Sequence, residues 1–69
     1  PSAKELKETM LRHARLQIEF KGGYLGIREM RKHVAWYTKG LPGSAKLRDE
    51  IKQVESYEEL EALLDEKIT

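Results

Sequence analysis

The sequence predicts an all-α fold: a small up-and-down bundle of four helices, or three with a short last helix half-docked. Three observations carry this. Apolar residues recur at spacings of three and four, and no segment alternates as a strand would. Gly22-Gly23, Gly40-Leu41-Pro42-Gly43 and Ser56-x-x-Glu59 cut that pattern into segments. Charged residues make up 36% of the chain, above the roughly 25% of an average domain, which suits helices with solvated outer faces.

Ser2 is suited to cap the first helix, in which Leu6, Met10, His13, Ala14, Gln17 and Phe20 follow at helical spacing until Lys21-Gly22-Gly23 stops it. A second helix is expected from Tyr24 to Lys39, with Ile27, Met30, Val34 and Tyr37 on one face and Gly26 weakening its first turn. Gly40 ends it and Pro42 prevents its continuation. Ser44 then caps a third helix carrying Leu47, Ile51 and Val54. Ser56 and Glu59 form a capping box for a fourth, which turns Tyr57, Leu60, Leu63, Leu64 and Ile68 inward. The short joints between these segments imply antiparallel neighbours.

Size and composition exclude several function classes. The 69 residues make a single helical domain, 1–69, and a chain this short buries only about 60% of its unfolded surface, too little for a large catalytic cleft. With no cysteine there is no disulfide, thiolate metal site or cysteine nucleophile. No apolar run approaches the roughly 18 residues of a membrane span, and the N-terminus lacks a signal-peptide core. The expectation is a soluble cytoplasmic chain with no membrane partner. Its start, Pro1-Ser2-Ala3 running straight into a helix, suits a piece of a longer protein.

The net charge of +1 hides a division. Residues 1–52 carry twelve Lys or Arg against six acids, a balance of +6, while residues 53–69 carry Lys67 against six acids, a balance of −5. A cationic body attracts polyanions, and with an anionic last helix the two surfaces are expected to do different jobs.

The stretch Arg28 to Gly43 sharpens the point. On a helical wheel Met30, Val34 and Tyr37 fall within roughly 80° of Ile27, whereas Arg28, Lys32 and Lys39 cluster between roughly 100° and 140° and Trp36 lies near 180°. Arg31 borders the core, where its stem can cross apolar surface. Cations neutralise phosphates and a planar ring stacks on a base, so the combination fits a nucleic-acid surface. A cationic helix face is equally what a solvated surface looks like, and an indole there can be buried by a neighbouring helix. His33 reads as a boundary histidine with one hydrogen bond, and His13 as a core histidine with a buried partner. Neither has the carboxylate spacing of a zinc site, so no metal is expected. No phosphate loop, general-acid pair or activated serine is recognisable, so catalytic residues are expected to be absent from this chain.

Arg31-Lys32-His33-x-x-Trp36-Tyr37-x-Lys39-Gly40, preceded by Tyr24-x-Gly26-x-Arg28 and followed by Pro42-Gly43-x-x-x-Leu47-Arg48, resembles the C-terminal helical domain of bacterial tRNA-dihydrouridine synthases, most closely the B subfamily, also labelled nitrogen-regulation proteins. The resemblance spans nearly the whole chain. It implies a part of a flavoenzyme whose N-terminal TIM barrel, absent here, binds FMN and reduces tRNA uridines with NADPH. No cofactor or catalytic residue of that barrel transfers to this sequence. It further implies tRNA and the barrel as partners, with Arg28, Arg31, Lys32 and Lys39 facing RNA phosphates, Trp36 or Tyr37 at the edge of that surface or in the core, and His33 contacting the backbone or orienting a neighbour. Four or five phosphate contacts would give log K falling with log salt at a slope of about −3 to −4. Two other classes stay open: a protein-interaction or barrel-docking module without RNA affinity, and a helix-turn-helix for duplex DNA, whose turn is normally tighter than Leu41-Pro42-Gly43.

Overall fold

In the computed structural model, which describes residues 2–68, the chain is all-helical: α1 (Ala3–Tyr37), α2 (Ser44–Ile51) and α3 (Tyr57–Lys67). Pro1, on which the expectation of a cut N-terminus partly rests, and Thr69 lie outside the described residues. The four expected helical segments are present as three elements, because the first two run together without a gap. The first two segments form one element, α1, interrupted at Gly22 by non-helical backbone at φ 86° and ψ 163°. This conformation is essentially glycine's alone. A straight helix of 35 residues would be about 52 Å long, yet the longest extent of the molecule is 31 Å, because α1 folds back on itself.

The hairpin closes unusually tightly. A Cβ placed on Gly26, in the C-terminal arm, would lie 2.8 Å from the Ile18 backbone nitrogen and 2.9 Å from the Gln17 carbonyl carbon in the N-terminal arm. Gly26 therefore does more than weaken a helical turn: it lets two backbones touch. α3 runs antiparallel to the N-terminal arm, since the Lys7 ammonium meets Asp65 at 2.7 Å while Arg15 donates to the Tyr57 hydroxyl at 2.7 Å. The core between these layers is Met10, Leu11, Ala14, Ile27, Met30, Val34, Leu47, Ile51, Val54, Leu60, Leu64 and Ile68.

Both serines expected to cap helices, Ser2 and Ser56, do so. Ser2 accepts from the Glu5 amide and Ser56 from the Glu59 amide, each at 3.1 Å. Four other expectations are corrected. Phe20 is 80% exposed, because Lys21 and Gly22 turn the chain before any element can cover that ring. The second segment ends at Tyr37, not Lys39: the buried Thr38 hydroxyl donates to the Val34 carbonyl at 2.7 Å and closes the helix there. Ser44 is the first helical residue of α2 and Gly43, at φ 77°, occupies the cap with no side-chain bond. Val54 is buried as expected, but from the joint between α2 and α3.

Candidate nucleic-acid interface

The C-terminal arm of α1 presents its polar side as a ridge. Tyr24, Arg28, Lys32 and Trp36 stand four residues apart, so they follow one another along the arm in a ridge that turns by about 40° per step, and all four are exposed. Trp36 is 79% exposed and Tyr24 72%. The indole is therefore not packed against a neighbouring helix. The Arg28 guanidinium lies 5.2 Å from the Tyr24 ring centroid and donates to its hydroxyl at 3.3 Å. Among the described residues no carboxylate is within ion-pairing distance of Arg28, Lys32 or Lys39.

Beside the ridge runs an open groove lined by Leu25, Arg28, Glu29, Arg31 and Lys32. Its single carboxylate, Glu29, is bound to Lys21 across the hairpin. That hydrogen bond holds its pKa below the ordinary value, with lesser help from the charges of Lys21, His33 and Lys32, and burial opposes it. The anion is thus matched by a neighbouring cation.

Arg31 has a different placement. It is half-buried and donates twice to the Val54 carbonyl, from Nε at 2.9 Å and Nη2 at 2.6 Å. Val54 ends the turn after α2, where its carbonyl has no helical partner. A fork of parallel donors is what arginine supplies and lysine does not, so Arg31 ties the α2–α3 joint to α1. Lys39 lies beyond the end of α1, in the turn that Gly40 completes at φ 91°.

His13 and His33 meet across the hairpin with ring centroids 4.5 Å apart. His13 is only half-buried, in a polar cluster instead of the apolar core: its Nδ1 faces the Tyr37 hydroxyl at 3.3 Å and its Nε2 faces Gln17 Nε2 at 3.0 Å. Burial, then the neighbouring His33, lowers the His13 pKa below its ordinary 6.5. The sequence reading puts His33 at a core boundary and His13 in the core, but it cannot show that the two meet in a half-buried cluster, since that depends on the fold-back at Gly22.

The acidic balance of the last 17 residues is partly answered within the fold. Asp65 pairs with Lys7, and Lys67 reaches Glu50 at 3.4 Å and Glu66 at 3.6 Å. Between α2 and α3 lies a groove lined by Asp49, Glu50, Glu59 and Glu66 over Val54 and Leu63, which repels a phosphate.

The model of the family described as "Dihydrouridine synthase (Dus)" matches residues 1–69, the whole chain. The chain belongs to this family. A "Probable tRNA-dihydrouridine synthase" of Mycobacterium leprae is 37% identical over 65 residues, covering 94% of this chain and 17% of that protein. "Probable tRNA-dihydrouridine synthase 1" of Synechocystis is 38% identical over 69 residues, all of this chain and 19% of that protein. A "Probable tRNA-dihydrouridine synthase" of Rickettsia typhi is 38% identical over 48 residues, 70% of this chain and 15% of that protein. The chain thus spans less than a fifth of the length of these relatives. No solved structure matches it.

The resemblance also implies a flavin, and the residues here do not fit one. The groove between α2 and α3 is lined with carboxylates that would oppose the phosphate of FMN, and the cationic groove is a surface trough shared with Glu29. No reaction step is assigned to these residues. Among the described residues no helix is long and apolar enough to cross a membrane.

Proposed function

We propose that this chain is the tRNA-holding helical domain of a tRNA-dihydrouridine synthase, the C-terminal part of a longer cytoplasmic flavoenzyme. In this reading the chain does no chemistry of its own. An N-terminal TIM barrel supplies FMN, takes reducing equivalents from NADPH and reduces the uridine, while the bundle fixes how the RNA lies over it. The observation that carries the reading is the ridge of Arg28 and Lys32, which have no ion-pair partner among the described residues, next to an exposed indole, in a chain of the dihydrouridine synthase family. Such a surface grips phosphates and leaves sequence choice to RNA shape.

In this reading the cations have different roles. Arg28, Lys32 and Lys39 are the phosphate contacts, Trp36 the stacking surface, and Arg31 the residue that anchors the α2–α3 joint behind them. His33, against His13, orients the hairpin below the ridge. Three contacts predict log K falling with log salt at a slope of about −2 to −3. Equilibrium binding of unmodified tRNA across a salt series tests this. Arg28→Ala and Lys32→Ala are each expected to weaken binding and to reduce the slope by about 1. A slope unchanged by both variants would remove the ridge from the interface.

A docking role is favoured at a different place. Leu16, Phe20 and Leu25 are 46%, 80% and 54% exposed around the bend of α1, an apolar tip that suits contact with the barrel of the same protein.

A further inference from the structure

The aromatic ends of the ridge are not explained by phosphate binding alone. Tyr24 and Trp36 are twelve residues apart on one helical arm, about 18 Å along its axis and about 120° around it, with Arg28 and Lys32 on the winding path between them. The rings are too far apart to sandwich a single base. Each is mostly exposed, at 72% and 79%, so each has a ring face available. The Arg28 guanidinium near the Tyr24 ring adds positive charge to one side of that ring, and stacking platforms for nucleobases commonly pair aromatic rings with arginine in this way. Tyr24 is not among the residues that a basic-face argument selects, because it carries no charge and lies at the first turn after the bend.

We propose that Tyr24, Arg28, Lys32 and Trp36 form a rail for unpaired RNA: the two rings each stack on one base and the two cations hold the phosphates between them. This rests on the RNA-binding reading above and adds a ligand class, an RNA segment with bases free to stack, in preference to a duplex. In a duplex the bases are already stacked on one another, so only the cations would engage.

Trp36 is the only tryptophan, so the indole fluorescence of the chain reports on that one ring. The test titrates the 69-residue chain at low salt with a uridine 12-mer, an RNA duplex of equal length and inorganic polyphosphate, with circular dichroism confirming that each variant keeps its helicity. The expected result is that the 12-mer quenches Trp36, while polyphosphate binds without quenching and the duplex binds more weakly with little quenching. Tyr24→Ala is expected to weaken binding of the 12-mer about five- to tenfold, the low end of the stacking range for an exposed ring. Tyr24→Phe is expected to restore it, which separates the ring from the hydroxyl bonded to Arg28. Binding of the 12-mer without quenching, and unchanged in Tyr24→Ala, would overturn the rail while leaving the RNA reading intact. If neither the 12-mer nor tRNA binds the folded chain, the RNA reading falls and the rail with it, and the rings then belong to a protein contact.

Discussion

Three neighbouring glycines are expected to respond to alanine in three different ways. At Gly26 the new Cβ would meet Ile18 N at 2.8 Å and Gln17 C and Ile18 Cα at 2.9 Å, all backbone atoms that cannot rotate away. Ordinary carbon contacts need about 3.5–4.0 Å, so the arms of α1 must part by about 0.7–1 Å. That would loosen Ile27 and Met30 from the opposite arm. Overpacking of this kind costs about 1–3 kcal/mol, here at the upper end, and alanine's better helix propensity returns about 0.5–1 kcal/mol. The net loss is about 2 kcal/mol, or about 8–16 °C in Tm for a chain of this size. At Gly22 nothing lies within 4 Å, but the backbone stands at φ 86° and ψ 163°, where an alanine costs about 1–3 kcal/mol through strain alone. At Gly23 nothing lies within 4 Å and the backbone is ordinary helix, so alanine is expected to raise stability by about 0.5–1 kcal/mol. Urea and thermal melts of the three variants followed by circular dichroism measure all of this. A Gly26→Ala chain as stable as the parent, or more stable, would refute the close approach of the two arms.

Arg31→Ala removes two charge-assisted donors from the Val54 carbonyl and is expected to cost about 1–2 kcal/mol in urea melts, with Arg31→Lys recovering part of it. Ser56→Ala is expected to cost about 1 kcal/mol and to speed amide exchange in the first turn of α3, which is measurable by NMR. The His13 pKa is lowered in the folded chain from 6.5, so below that pH the unfolded chain binds more protons and stability falls as pH drops. Melts between pH 7 and pH 5 (roughly one and a half units below an ordinary histidine) are expected to show this loss, and His13→Gln to flatten it.

Much of the fold is legible in local chemistry. Ser2 and Ser56 cap helices because a hydroxyl three residues before a free amide is a local matter, and the inward faces at Ile27-Met30-Val34 and Leu60-Leu64 follow from period alone. Trp36 falls away from the core stripe on the wheel, but whether a neighbouring helix covers the indole is not a local matter, and only the fold leaves it exposed. What fails is non-local. Phe20 fits the apolar period of its helix, yet no second element reaches the bend, whereas Leu11, off that stripe, is buried because the N-terminal arm packs against both its own C-terminal arm and α3. Arg31 reads as one more cation of the basic face until the joint at Val54 folds beneath it. The meeting of His13 with His33 and the contact at Gly26 both depend on the fold-back at Gly22, for which Gly22-Gly23 gives the location but not the angle.

The measurement closest to the central claim is an amide-resolved NMR titration of the chain with unmodified tRNA at low and moderate salt. The account predicts shifts concentrated from Tyr24 to Lys39, fading as salt rises and lost in the Arg28→Ala/Lys32→Ala double variant, with α3 silent. Shifts centred on Glu58, Glu59 and Glu61, or none at all from a folded chain, would contradict it.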